Sequence, residues 1–387
     1  MREGEAIRIR ERTGRGEDSA LCRSQPQPPA PEILREPLPQ PEARELEGPA
    51  FPPFEPHPLV RNRHAQTLAT ALPRRGLKAF REQAVSRVFE VSRDARLVGL
   101  VNRRPEPDAP VLVLWHGLTG CADGDYMAAT AAKAWEAGFH TVRMNMRSCG
   151  STESLSRGLY HAGQSGDVAR VCEALVRQEG WRRVHLAGFS LGGNLVLRLA
   201  GEYGRRPPAW LRSVTAISPP VDLALAVETL EAEPANRIYT HYFLRNLRRL
   251  VERKSLLQPD AFDPSLLEGL RSMREFDDRF TAPLGGFHSA LDYYRRTSPA
   301  PLLPRICVPT LILHARDDTF LPADPLESPE VRANPYLRVV LTEHGGHNAF
   351  IARRPARTED AADPDRRWAE NRLLQFIRWH EEVRRSA

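Results

Sequence analysis

Lysine is almost missing from this chain of 387 residues: Lys78, Lys133 and Lys254 are the only three, among 55 basic residues. The formal charge of +6 is therefore carried by arginine, spread along the chain without a long basic run. That distribution points to compositional bias and excludes an obvious nucleic-acid-binding stretch. Cysteine is scarce and odd in number. Cys22, Cys121, Cys149, Cys172 and Cys307 show no Cys-x-x-Cys spacing, which argues against a disulfide framework and fits a reducing compartment. No apolar run is long enough to span a bilayer, and the opening MREGEAIRIRERTGRGEDSA lacks the apolar centre of a signal peptide. A soluble cytoplasmic protein is expected, with no transmembrane segment and at most peripheral membrane contact. Oligomeric state is not legible.

What is present changes character along the chain. Residues 1 to 50 are rich in Pro, Glu and Arg and poor in aromatics, so they are expected to form a tail unable to offset its ordering entropy. From Phe51 aromatics appear, and VSRVFEVSRDARLVGLV reads as an antiparallel strand pair. Short, largely apolar runs then alternate with helical stretches: PVLVLWHG, HTVRMNM, RVHLAGFS and LRSVTAIS predict strands, separated by amphipathic segments. This is the pattern of a mostly parallel central sheet with helices on both faces, an α/β fold. Residues 221–300 interrupt it with helical sequence and no convincing strand, which predicts a helical cap over the sheet's C-terminal edge. PTLILHARD and LRVVLTE resume the strands, and a final amphipathic helix closes the chain. The expected division is a tail at 1–50, a first core part at 51–220, the cap at 221–300 and a second core part at 301–387.

Chemistry concentrates in four stretches. HLAGFSLGGN places Ser190 in Gly188-Phe-Ser-Leu-Gly192 between an apolar strand and a helix, the sharp turn that lifts a serine hydroxyl clear of a sheet. Such a serine needs an oxyanion site and a base. The Leu191 amide, at the start of the helix, and the Leu118 amide, in WHGLTG after an earlier strand, are the candidate oxyanion donors. An orienting acid belongs at the end of a later strand, where HARDDTF offers Asp317 and Asp318. Alternation lets only one of them face the base, and Asp318, just past the strand, is preferred. The base is expected in LTEHGGHNAF. His344 and His347 are not read as a metal pair, because Gly345 and Gly346 disfavour a helix and no further ligand motif lies nearby. His347 is expected to reach the site, with His344 ending the strand and bonding locally.

Together with RNRHAQTL, HGLTGCADGDYM, MNMRSCGSTE, ISPPVDL and FDDRFTAPLGGFHSALDYYRRTSP, these stretches, in order from about residue 51 to 350, resemble the YheT-like branch of the α/β-hydrolase superfamily, which includes the eukaryotic ABHD1-2-3-type esterases. The resemblance implies an α/β-hydrolase fold and a serine hydrolase cleaving carboxylic esters of medium- or longer-chain acids through an acyl-enzyme intermediate. The triad falls on Ser190, Asp318 and His347, with no metal or organic cofactor and a small-molecule acyl ester as substrate. An acyltransferase using the same residues, or a non-catalytic lipid-binding protein of this fold, are the alternatives. The family more often has a glycine before the phenylalanine where this chain has Asn348-Ala349, which bears on the adjoining pocket. His64, in RNRHAQTL, reads as structural.

Overall fold

Strands buried at every residue need cover on both faces, and four runs of this chain are buried in that way. The computed structural model describes residues 48–357 and 362–386. The expectation for residues 1–50 falls outside them except at its last three positions. Eight strands form one sheet: β1 (Val85–Ser92), β2 (Ala95–Asn102), β3 (Val111–Trp115), β4 (His140–Met144), β5 (Val184–Phe189), β6 (Leu211–Ile217), β7 (Thr310–Ala315) and β8 (Leu337–Thr342). Their spatial order is β1-β2-β4-β3-β5-β6-β7-β8. β2 runs antiparallel to both its neighbours, and every pairing from β4 onward is parallel.

The principal helices are α1 (Arg63–Ala69), α2 (Asp125–Glu136), α3 (Ser165–Glu179), α4 (Leu191–Tyr203), α5 (Leu223–Ala232), α6 (Arg237–Leu257), α7 (Ala290–Thr297) and α8 (Trp368–Ser386). Alternation along the strands divides the core. Leu112, Leu114, Phe189 and Leu313 pack with Met127 of α2 and Phe376 of α8, while Val113, Leu186, Val214 and Ile312 join Val171 of α3 and Leu195 of α4. Two of the rare lysines are internal ties. Lys133 bonds Glu370 Oε2 at 2.9 Å, joining α2 to α8, and the buried Lys254 donates to the carbonyls of Glu153 and Ser156.

After β3 the chain steps outward to β4, then crosses back to place β5 on the other side of β3. Open parallel sheets bind ligands at such a reversal, beyond the C-terminal strand ends, because the loops diverge there and leave a crevice. Leu118 follows β3 and Ser190 follows β5, so both sit at that point. Between β6 and β7 the described residues contain only helices and turns, including α5, α6, α7 and a π-helical turn over Asp277–Thr281.

Candidate active site

Ser190 adopts φ 51° and ψ −118°, a left-handed conformation costly for a residue with a side chain. Its neighbours make the turn possible. A Cβ on Gly188 would lie 2.1 Å from the Gly192 carbonyl, and one on Gly192 would lie 2.3 Å from the Trp115 oxygen. Only glycine lets strand, turn and helix approach so closely. The Ser190 amide donates to Ile217 O at 2.8 Å, pinning the turn to β6. Leu191 opens α4, and a first-turn amide has no acceptor within its own helix.

The turn after β3 abuts this serine: a Cβ on Gly117 would stand 3.1 Å from Ser190 Cβ. Tyrosine hydroxyls hold it on both sides of Leu118, Tyr126 accepting from Gly117 N at 3.0 Å and Tyr160 from Thr119 N at 2.8 Å. His116 is wholly buried, and burial pushes it down to about 4. Its Nε2 accepts from Met146 N at 3.1 Å, so Nδ1 carries the hydrogen that the Gly117 carbonyl accepts at 2.8 Å. His116 is therefore a neutral brace that shapes the turn.

Asp317 and Asp318 part company at the end of β7. Asp318 Oδ2 lies 2.8 Å from His347 Nδ1, and its Oδ1 accepts from Phe320 N and Leu321 N, each at 3.2 Å. Burial works to raise the Asp318 carboxyl, but the His347 and His314 imidazoles and the Phe320 amide together hold it below the usual carboxylate range. An ionised Asp318 fixes the hydrogen on Nδ1 and leaves Nε2 of His347 as an acceptor. Asp317 turns the other way, its Oδ2 lying 3.2 Å from His344 Nδ1 and its Oδ1 accepting from Gly346 N at 2.9 Å. The two histidines thus have separate aspartates. His344 bonds across to the end of the neighbouring strand, and His347 enters the interior, where Phe320 packs with ring centroids 4.4 Å apart.

The loop carrying His347 is gripped by α1. His347 N donates to Thr67 Oγ1 at 3.0 Å, Thr70 Oγ1 donates to His347 O at 2.9 Å, and the Gln66 amide brackets Ile351 N and O. Gly346, with φ 55°, lies so near α1 that a Cβ would meet Arg63 O at 2.5 Å. Asn348 has φ 69° and donates its amide to Ser218 Oγ at 3.2 Å, beside the Ser190 turn. Asparagine tolerates the left-handed region better than other residues with a side chain, which accounts for Asn at this place in the loop. His64 stacks on Tyr239 of α6, its Nδ1 3.0 Å from the hydroxyl.

Ser190, Leu118 and Leu191 line one cavity of about 110 Å³, closed by Leu230, Phe243, Leu247 and Phe276 of the helical segment. Phe320, which packs on His347, is in the same wall. Sequence reasoning missed Thr67, Gln66, Ser218 and the buried Asp277 of this wall. For the first two a signal existed in RNRHAQTL, whose role lies in Gln66 and Thr67 as well as His64.

Residues 110–353 match the sequence profile of the family described as alpha/beta hydrolase fold. The chain is 34% identical over 244 residues to the putative esterase YheT of Escherichia coli (strain K12), across 62% of this chain and 71% of that protein. It is 28% identical to a monoacylglycerol lipase of Saccharomyces cerevisiae, across 71% of this chain and 60% of the lipase. It is 29% identical to phospholipase ABHD3 of Mus musculus, across 62% of this chain and 58% of that protein. The matches thus span less than two thirds of the last two.

Proposed function

Since the chain belongs to the α/β-hydrolase-fold family, we propose that it hydrolyses carboxylic esters of lipid type, with Ser190 as nucleophile, His347 as base and Asp318 as its orienting acid. The observation that carries this reading is the Asp318–His347 hydrogen bond of 2.8 Å on a loop pinned beside the strained Ser190 turn. The relatives named esterase, monoacylglycerol lipase and phospholipase support the substrate class.

In the proposed reaction His347 Nε2 takes the Ser190 proton as Oγ attacks the ester carbonyl. The Leu118 and Leu191 amides stabilise the oxyanion, the first held by its tyrosine-braced turn and the second at the positive end of α4. Asp318 keeps the imidazole in the required tautomer and stabilises its cation. His347 then protonates the departing alcohol, and water activated by the same nitrogen releases the acid from the acyl-serine. The helical segment 221–300 acts as the cap that shapes the acyl cavity with leucine and aromatic side chains.

The test is hydrolysis of p-nitrophenyl esters of increasing chain length by the purified protein, with covalent labelling by a fluorophosphonate probe. Ser190→Ala should abolish labelling and lower the rate by about four to six orders of magnitude. An unchanged rate in that variant would remove Ser190 from the reaction.

A further inference from the structure

Five carboxylates are buried among the described residues: Asp167, Asp277, Asp318, Glu370 and Glu381. Four have a cation or an imidazole beside them. Asp167 holds Arg147 through both oxygens, Asp318 meets His347, Glu370 meets Arg74 and Lys133, and Glu381 meets Arg183 and His185. Asp277 has none. Its Oδ2 accepts from the Tyr294 hydroxyl at 2.7 Å, and the Thr281 hydroxyl lies beside it one turn on. Burying a carboxyl without a basic partner is expensive, and such a residue is a candidate for a role in binding.

Its position supplies the role. Asp277 and Thr281 are the two ends of the π-helical turn, an element frequent at functional sites, and both line the cavity that holds Ser190. The rest of that wall is mostly leucine and aromatic carbon, so Asp277, Thr281 and Tyr294 make a polar end in an apolar chamber. The other tyrosine hydroxyls there accept from backbone amides, Tyr160 from Thr119 N and Tyr293 from Ala162 N. Burial pushes the Asp277 carboxyl up to about 6, against the pull of the two hydroxyls.

We propose that Asp277, Thr281 and Tyr294 form a subsite for a hydroxyl group of the ester substrate. A hydroxyl both donates and accepts, so it can donate to the carboxyl while its oxygen accepts from the Thr281 or Tyr294 hydroxyl, which turns from the carboxyl toward it. An ammonium group has no acceptor and matches the trio less completely. The inference rests on the proposed reaction at Ser190 and narrows it to hydroxylated esters. The hydroxyl can sit on the alcohol, as in a polyol monoester, or on the acyl chain, as in a hydroxy-acid ester.

The experiment compares kcat/KM for propyl butyrate, glycerol monobutyrate and propyl 3-hydroxybutyrate, with butyrylcholine added as a cationic ester. Wild-type enzyme should favour one of the two hydroxylated esters over propyl butyrate by roughly ten- to hundredfold, the worth of a hydrogen bond to a charged group. Whichever ester is favoured identifies the side that carries the hydroxyl. Asp277→Leu should bring that ratio close to one, and Asp277→Asn, which keeps an acceptor, should fall between. A flat wild-type series, a preference for butyrylcholine, or a ratio unchanged in Asp277→Leu overturns the subsite. Wild-type measurements decide the first two even if a variant fails to fold. Persistence of all hydrolysis in Ser190→Ala would instead overturn the reaction assigned to Ser190.

Discussion

The backbone amide of His347 donates to Thr67 Oγ1 at 3.0 Å across 280 positions of sequence. Thr67 in turn lies 3.2 Å from Thr319 Oγ1, beside Asp318 in the chain. One hydroxyl thereby ties the histidine loop to the turn that carries its aspartate. Thr67→Val should lower kcat by about ten- to hundredfold, the usual cost of misplacing a catalytic group, with KM little changed and activity largely restored in Thr67→Ser. Steady-state kinetics of the three proteins check this, and an equal fall in Thr67→Ser would mean that the hydroxyl is irrelevant.

Gly346 faces the same helix without room for a side chain. Gly346→Ala should cost about 1–3 kcal/mol of stability, through both the close approach to Arg63 O and the positive φ. Urea denaturation measures the loss. Gly166, where a Cβ would meet nothing and φ is not positive, is the control, and Gly166→Ala should be neutral or stabilising.

The two adjacent aspartates should separate cleanly. Asp318→Asn should lower kcat by about 10⁴, because the amide no longer enforces the tautomer that leaves Nε2 free. Asp317→Asn disturbs only the His344 contact and the Gly346 amide, and should cost less than about tenfold. The opposite ranking would transfer the orienting role to Asp317.

Asp277 gives folding stability a pH dependence of defined sign. Its carboxyl ionises near 3.8 in an unfolded chain and near 6 in the folded one, since burial favours the neutral form. The folded state keeps this proton where the unfolded state has lost it. The contribution is therefore fully present below 3.8 and is lost as pH rises through about 6. Asp277→Asn, neutral throughout, should gain on wild type across that window by up to about 3 kcal/mol and then level off. Paired urea melts from pH 3.5 to 8 test it, and a pH-independent difference would mean an ordinary carboxyl.

Much of the architecture was legible because its causes are local. Most buried strands are short runs rich in apolar residues, and the Ser190 turn declares itself through Gly188 and Gly192, whose missing side chains leave space for the turn itself and for the end of β3. The separate fates of His344 and His347 were also readable, since two glycines between them preclude a helical pair. Other features depend on partners far along the chain. Nothing near Thr67 announces the His347 amide, and nothing near Ser218 announces Asn348 N. Asp277 looks like any acid of a helical segment until the fold buries it without a cation. Ala349 stands where the resembled motif has its glycine before the phenylalanine, and because its φ is not positive this place in the loop does not demand glycine's freedom.

The grip of α1 on the histidine loop also bears on where the working unit begins. The family match starts at residue 110, yet Gln66, Thr67 and Thr70 hold the loop of His347 from well before it. A fragment cut at the matched boundary would retain Ser190, Asp318 and His347 and lose the helix that grips the His347 loop. On the proposed mechanism, the segment ahead of the first strand belongs with the sheet in any active unit.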